Sequence, residues 1–249
     1  MQLIIALTAL ALGPSLVTYT GGQGDVEDHL YPPEAPVSGK LGNWSSQLRY
    51  LQGYALGLPR ELSDDDSELL WAMKLPSFGP ESGFSILRRR RDHLILIGTR
   101  LDQNLWSRFP EGARAVSAHD ELRGGLRSEP ALAVAQAARQ DVETCEVAPL
   151  GPLGVRYVNA VNARLARTRV AHARWENDIP PPPPSVHDGE VYVFGGMTTG
   201  RTLNFPTGED MERLRHAADM MLEYCFAPSG GTQSKLDSAV RALELSEPQ

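Results

Sequence analysis

The sequence FSILRRRRDHLILIGTR, residues 84–100, decides the fold of this chain because two apolar runs flank a short charged segment. Both runs are rich in residues that favour strands, and Arg88–Asp92 between them is short enough for a turn. The stretch therefore predicts a β-hairpin over about residues 84–99. The second run, HLILIGT, is apolar at nearly every position, which predicts a strand buried on both faces of a sheet.

A second hairpin is predicted over about residues 190–205. GEVYVFGG (189–196) and GRTLNF (200–205) have the composition of strands, and Met197–Gly200 separates them as a turn. The pair Gly195-Gly196 follows the first of these strands, where a close approach to a ligand is one interpretation and a turn or bulge is the favoured one.

Helices are predicted around the hairpins from the spacing of apolar residues. The longest covers about 154–175, and others cover Asp64–Met73 and 129–144. Helices and strands do not alternate regularly, so the sequence predicts an α+β fold. In it, an antiparallel sheet built from the two hairpins packs against several helices on one side.

The domain organisation is predicted from composition. Residues 1–22 form a signal peptide or N-terminal anchor, and residues 23–43, rich in Gly, Pro and acids, form a flexible leader. Residues 44–179 form an N-terminal α+β region. Residues 185–249 form a hairpin–helix region packed on the same domain, after a polyproline spacer at Pro180–Pro184.

The N-terminus predicts export. Met1–Thr20 contains no Asp, Glu, Lys or Arg, and its apolar run Leu3–Leu12 is shorter than the roughly 20 residues that span a bilayer. Cleavage is expected near Gln23. An uncleaved anchor and an apolar first strand are the two alternatives. The predicted location is periplasmic or extracellular.

The two cysteines, Cys145 and Cys225, are predicted to form a disulfide, since paired cysteines are usual in exported chains. Each is placed at the end of a predicted helix. Such a bridge would close a long loop and stabilise the fold by roughly 3–5 kcal/mol. Two buried free thiols are the alternative.

The formal net charge of −7 argues against general nucleic-acid binding, which needs clustered cations. The local exception is the run Arg88, Arg89, Arg90 and Arg91, predicted as a partner-binding site because guanidinium groups form forked contacts with carboxylates and phosphates. A solvated turn is the alternative, and the anion bound could be an acidic protein surface, an anionic lipid or a cell-wall polyanion. The arginines of the predicted 154–175 helix would extend this cationic surface: Arg156, Arg164, Arg167, Arg169 and Arg174.

No catalytic residues, metal ligands or cofactors are predicted. The sequence contains no Gly-x-Ser-x-Gly motif, and no histidine pair has the spacing of a zinc site. The pairs His119-Asp120 and His187-Asp188 are interpreted as exposed polar residues, with a ligand pair in a composite site as the alternative. The acidic groups Asp64–Asp66 and Glu209-Asp210 are interpreted as helix starts, where carboxylates suit the helix dipole.

These observations favour an exported, non-enzymatic binding protein, for example an inhibitor or immunity protein that acts on a secreted toxin or envelope hydrolase. Its partner would be another protein, with membrane contact only through an uncleaved N-terminus. One alternative is an exported hydrolase whose active site is assembled from distant segments. Another is a structural subunit of an envelope assembly that retains Met1–Thr20 as an anchor.

Overall fold

A computed structural model of the chain describes residues 30, 40–62, 66–89, 93–109, 129–167, 189–202 and 208–245. Six strands in this part of the chain form one sheet in the order β4-β3-β2-β1-β5-β6, and every neighbouring pair is antiparallel. The strands are β1 (Asp66–Pro76), β2 (Ser82–Arg89), β3 (His93–Arg100), β4 (Glu143–Val147), β5 (Glu190–Gly195) and β6 (Thr199–Arg201). The α+β class and both predicted hairpins are confirmed, β2–β3 and β5–β6.

The longest strand, β1, occupies the segment in which the sequence predicts a helix over Asp64–Met73, and that prediction is wrong. β1 lies between β2 and β5 and is covered on both faces. Leu70 and Ala72 contribute to the core on one face, and Met73 and Leu75 to the core on the other. When both faces are buried, the alternation of apolar and polar residues that marks a strand disappears from the sequence.

Five helices flank the sheet within the described ranges, together with a 3-10 turn at Leu105–Arg108. They are α1 (Lys40–Leu56), α2 (Glu129–Gln140), α3 (Gly151–Leu165), α4 (Glu209–Phe226) and α5 (Gly230–Leu245). The helix predicted over 154–175 corresponds to α3, and its continuation past residue 167 lies outside the described residues. None of the described helices is long and apolar enough to cross a membrane.

The first face of the sheet is covered by α3, α4 and α5. Phe84 of β2 packs against Tyr157 of α3, with ring centroids 5.9 Å apart and both side chains fully buried. The same core contains residues from β3, β5, α4 and α5, among them Leu96, Phe194, Met221 and Val240. Full burial of such a side chain stabilises a fold by about 1.5–3 kcal/mol, so this face carries the larger share of the apolar core.

The second face is covered by α1, α2 and the 3-10 turn. Met73 and Val193 of the sheet pack there with Leu51 of α1, Ala135 of α2 and Leu105. Helices therefore lie on both sides of the sheet, and the predicted placement on one side is wrong. The physical reason is that the central strands present apolar side chains to both faces, and each face has to be covered.

The end of α2 also differs from the predicted helix over 129–144. The helix ends at Gln140, and the chain then forms β4, which pairs with β3 through Leu96↔Val147 and Gly98↔Cys145. A strand of five residues at the edge of a sheet gives too short a pattern to separate it from the preceding helix. Cys145 therefore lies on a strand.

Candidate functional site

The disulfide between Cys145 and Cys225 is confirmed. The bridge joins β4 to the last turn of α4, with the two Cα atoms 5.7 Å apart and a sequence separation of 80. Cys225 is at a helix end as predicted, whereas Cys145 is on the edge strand. The bridge fixes α4 across that edge of the sheet.

Gly98 of β3 provides the space in which this bridge lies. A Cβ atom at Gly98 would be 2.5 Å from Sγ of Cys145 and 3.1 Å from Sγ of Cys225. Contacts that short do not occur without displacement of one partner, so glycine is required here. The signal in the sequence is the lone glycine in the apolar strand HLILIGT, which the sequence analysis did not connect with the cysteines.

The predicted partner-binding arginines lie at the end of the β2–β3 hairpin. Arg88 and Arg89 are the last two residues of β2, and both are exposed. Nε of Arg89 is 3.4 Å from Oδ1 of Asp66 on β1. Successive residues of a strand point to opposite faces, so these two side chains project on either side of the sheet. Arg90 and Arg91 lie outside the described residues.

Two of the arginines predicted to extend this cationic surface, Arg156 and Arg164 of α3, are instead paired with carboxylates of α4 and α5, whereas Arg167, just after α3, is exposed. Arg156 holds Glu244 of α5 with a two-pronged contact, Nε–Oε1 2.8 Å and Nη2–Oε2 2.6 Å, and also contacts Asp237. Arg164 is buried, where it donates to Asp210 of α4 at 2.9 Å and to the carbonyl of Leu243. These guanidinium groups connect α3 to its neighbouring helices. Arg169 and Arg174 lie outside the described residues.

A polar cluster connects α4 to the sheet around Tyr192 of β5. Oδ1 of Asp219 accepts from the Tyr192 hydroxyl at 2.7 Å and from Nζ of Lys74 at 2.9 Å. Lys74 is also 3.2 Å from Glu190, and Arg215 is 3.3 Å from the same carboxylate. Burial, and then the negative charge of Asp219, raise the pKa of Tyr192. Each charged member has a partner of opposite sign, so the cluster stabilises the junction of β1, β5 and α4.

The face covered by α1 and α2 contains a second polar cluster around Glu68 of β1. Oε1 of Glu68 accepts from the Ser85 hydroxyl at 2.5 Å and from the main-chain N–H of Arg60 at 3.3 Å. Burial raises the pKa of Glu68. The Arg60 side chain lies against this cluster, and its Nε and Nη2 are buried without a hydrogen-bond acceptor among the described residues. Sequence reasoning missed these residues, because each is isolated in the chain.

Glu81 is a fully buried carboxylate on the same face. Its oxygens accept from Nε2 of Gln52 at 2.9 Å and from the N–H of Leu105 at 2.8 Å. It thereby ties α1 and the 3-10 turn to the start of β2. Burial is the main cause that raises the pKa of Glu81. The geometry is structural, since both donors belong to the fold.

The glycines of the second hairpin make a turn, as the favoured interpretation expects. A Cβ at Gly195 would lie 2.1 Å from the Trp71 ring, and one at Gly196 would lie 2.4 Å from Oδ1 of Asn162. The same oxygen accepts from the N–H of Met197 at 3.0 Å. Side chains of the protein itself occupy the space beside both glycines.

The remaining candidate residues are the two His-Asp pairs and the two acidic groups. His119-Asp120, His187-Asp188, Asp64 and Asp65 lie outside the described residues. Glu209-Asp210 begins α4 as predicted, and within the described ranges no three His, Cys, Asp or Glu side chains are grouped as metal ligands.

Comparisons of this chain with protein-family models, with curated proteins and with solved structures find no match. The fold and its charged side chains are therefore the basis for the functional argument.

Proposed function

We propose that this chain is an exported, non-enzymatic binding protein that captures an acidic protein partner with the arginines at the end of the β2–β3 hairpin. The observation that carries the proposal is the placement of Arg88 and Arg89, exposed on the last two residues of a strand paired along its whole length with β3. A guanidinium group at such a position binds a carboxylate through two parallel hydrogen bonds.

The sheet supports this interpretation because it fixes the main chain that carries Arg88 and Arg89 before any partner arrives. β2 and β3 are paired over Ser82–Arg89 and His93–Arg100, and β2 is also paired with β1. Groups that are already fixed lose little conformational entropy on binding. The pair Arg89–Asp66 is partly exposed and competes only weakly with a partner carboxylate, since such pairs contribute about 0–1 kcal/mol.

The disulfide supports export. Bridges of this kind persist in oxidising compartments and are rare where thioredoxin and glutathione keep thiols reduced. A secreted toxin or an envelope hydrolase is the class of partner that this location offers, which makes the chain an inhibitor or immunity protein.

The test is capture of the partner from an envelope extract of the host, with the wild-type protein and two variants as baits. In the first variant Arg88, Arg89, Arg90 and Arg91 are replaced by Ser. The control variant carries Arg213→Ser and Arg241→Ser, which remove a partly exposed arginine of α4 and an exposed arginine of α5. We expect the wild type and the control to recover the same partner, which the first variant loses.

Varying the salt concentration is a second test in the same experiment. Attraction between exposed charges is screened beyond about 8 Å at physiological ionic strength, and more strongly as salt is added. Capture by the wild-type bait should weaken as salt is raised. Equal recovery of the partner by the hairpin variant and the wild type would refute the proposal.

A further inference from the structure

We propose that Arg60 and Arg139 form a binding site for a small oxyanion, a phosphate or a carboxylate ion, on the face of the sheet covered by α1 and α2. The site shares no residue with the hairpin arginines 88–91, so it goes beyond the proposed capture of a protein partner and is tested independently of it.

The first argument is the state of the Arg60 guanidinium group. Nε and Nη2 are both buried, and neither has a hydrogen-bond acceptor among the described residues. These two nitrogens form the edge of the guanidinium that binds the two oxygens of an anion side by side. Leaving charged donors buried without an acceptor is costly, and an oxyanion at this edge would remove that cost.

The second argument is the position of Arg139, in the last turn of α2. Its guanidinium carbon lies 5.3 Å from the centre of the Tyr54 ring of α1. Its Nη2 lies 3.7 Å from the position that a Cβ atom would take on Gly57, a residue with φ +68°. Gly57 is three residues before Arg60, and Arg139 is close enough to Arg60 for its charge to act on that guanidinium, so the two cations lie near each other. No described carboxylate forms an ion pair with Arg139.

The proximity of the two cations has an electrostatic signature. Burial is the largest cause that lowers the pKa of Arg60; the charge of Glu68 opposes it, and the positive charge of Arg139 lowers the pKa further. Two like charges near each other repel. A bound anion would relieve that repulsion and would accept hydrogen bonds from both guanidinium groups.

Two carboxylates also face Arg60 and oppose an anion there, Glu68 of β1 and Glu146 of β4. Glu68 is engaged by the Ser85 hydroxyl and by the Arg60 main chain. Neither carboxylate lies within ion-pair distance of the Arg60 side chain, whose Nε and Nη2 have no acceptor. The two donor nitrogens are buried, which favours a small ion over a side chain of a docked protein.

The test is a titration of the whole protein with inorganic phosphate and, separately, with acetate, followed by NMR of the arginine Nε–H signals. We expect the signals of Arg60 and Arg139 to shift together and to saturate. Arg241, which is 68% exposed at its side chain, serves as the internal control and should shift less and without saturation. Tighter binding of phosphate would assign a phosphate site, and tighter binding of acetate a carboxylate site.

Variants give the second measurement. Arg60→Gln and Arg139→Gln should each raise the dissociation constant of the ion by about tenfold or more, because each removes charged hydrogen bonds to the ion. Arg241→Gln should leave it unchanged. If Arg60→Gln does not fold, Arg139→Gln and the wild-type titration still decide.

The proposal is overturned if the Arg60 signal moves no more than that of Arg241 with both ions. It is also overturned if a long-lived water molecule, detected by its nuclear Overhauser effect to the Arg60 Nε–H, remains in place at saturating ion.

Discussion

The two faces of the sheet are built differently. The face under α3, α4 and α5 has the larger apolar core, the disulfide, and arginines such as Arg156 and Arg164 that are paired with carboxylates. The face under α1 and α2 has a smaller core, beside which lie the fully buried Glu81 and the guanidinium of Arg60, whose Nε and Nη2 have no acceptor among the described residues. Buried polar atoms without a partner occur on the first face as well, where the Tyr157 hydroxyl is one, but on the second face two of them belong to one charged group. A buried charge without a partner costs more than a buried hydroxyl, so this difference favours an anion site on the second face.

The largest expected effect is on the first face. Replacing both cysteines, Cys145→Ala and Cys225→Ala, should lower the free energy of unfolding by about 3–5 kcal/mol, since the bridge closes a loop of 80 residues. Urea unfolding followed by circular dichroism measures it. Reductant should lower the stability of the wild type and leave the double variant unchanged; a wild type indifferent to reductant would show that the bridge contributes nothing.

The second effect concerns Gly98 and tests whether the disulfide is the reason why residue 98 has to be glycine. Gly98→Ala should cost about 1–3 kcal/mol in the wild type, because the new methyl group would lie 2.5 Å from Sγ of Cys145. In the Cys145→Ala/Cys225→Ala background, the loss of stability caused by Gly98→Ala should be clearly smaller. A double-mutant cycle on urea unfolding measures this coupling. An equal loss of stability in both backgrounds would show that the disulfide is not the reason for glycine at this position.

The third effect is a pH dependence on the second face. Burial raises the folded-state pKa of Glu81 above its ordinary value of 4.5. Its carboxyl group therefore favours the folded state most when protonated, and this contribution is lost as the pH rises from 4.5 through the raised pKa. Compared with Glu81→Gln, the wild type should lose stability over that range.

Glu68 should titrate in the same direction, because burial raises its pKa as well. The variant Glu68→Gln/Glu81→Gln should therefore show a flatter pH profile than either single variant in urea unfolding at successive pH values. Parallel profiles for the wild type and the double variant would mean that these carboxyl groups are not desolvated in the folded protein.

The smallest effect is expected at the hairpin end. Arg88→Ser/Arg89→Ser should change the free energy of unfolding by no more than about 0.5 kcal/mol, because both side chains are exposed. The same urea experiment measures it. A loss as large as that of the disulfide variant would make these arginines structural, and the binding proposal would lose its basis.

The strands β2, β3 and β5 could be predicted because they are long apolar runs bounded by charged residues or glycine. β1 could not be predicted, because burial on both faces removed the alternation of apolar and polar residues. β4 is too short to be recognised from its sequence pattern. The cysteine pair could be predicted from the composition of the N-terminal segment, which predicts export, and from the presence of two cysteines.

The ion pairs of Arg156 could not be predicted, because Asp237 and Glu244 lie more than 80 residues away in sequence and approach only when α5 packs on α3. The convergence of Arg60 with Arg139 has the same origin. Each residue is ordinary in its own segment, and only the packing of α2 on α1 brings them together.

The most direct test of the account is alkylation of the protein taken from its native host, without reductant, followed by mass spectrometry. We predict no alkylated cysteine before reduction and two afterwards, which places the working protein outside the reducing cytosol. Alkylation of both Cys145 and Cys225 in the native material would contradict the account, since the bridge and the proposed export would fail together.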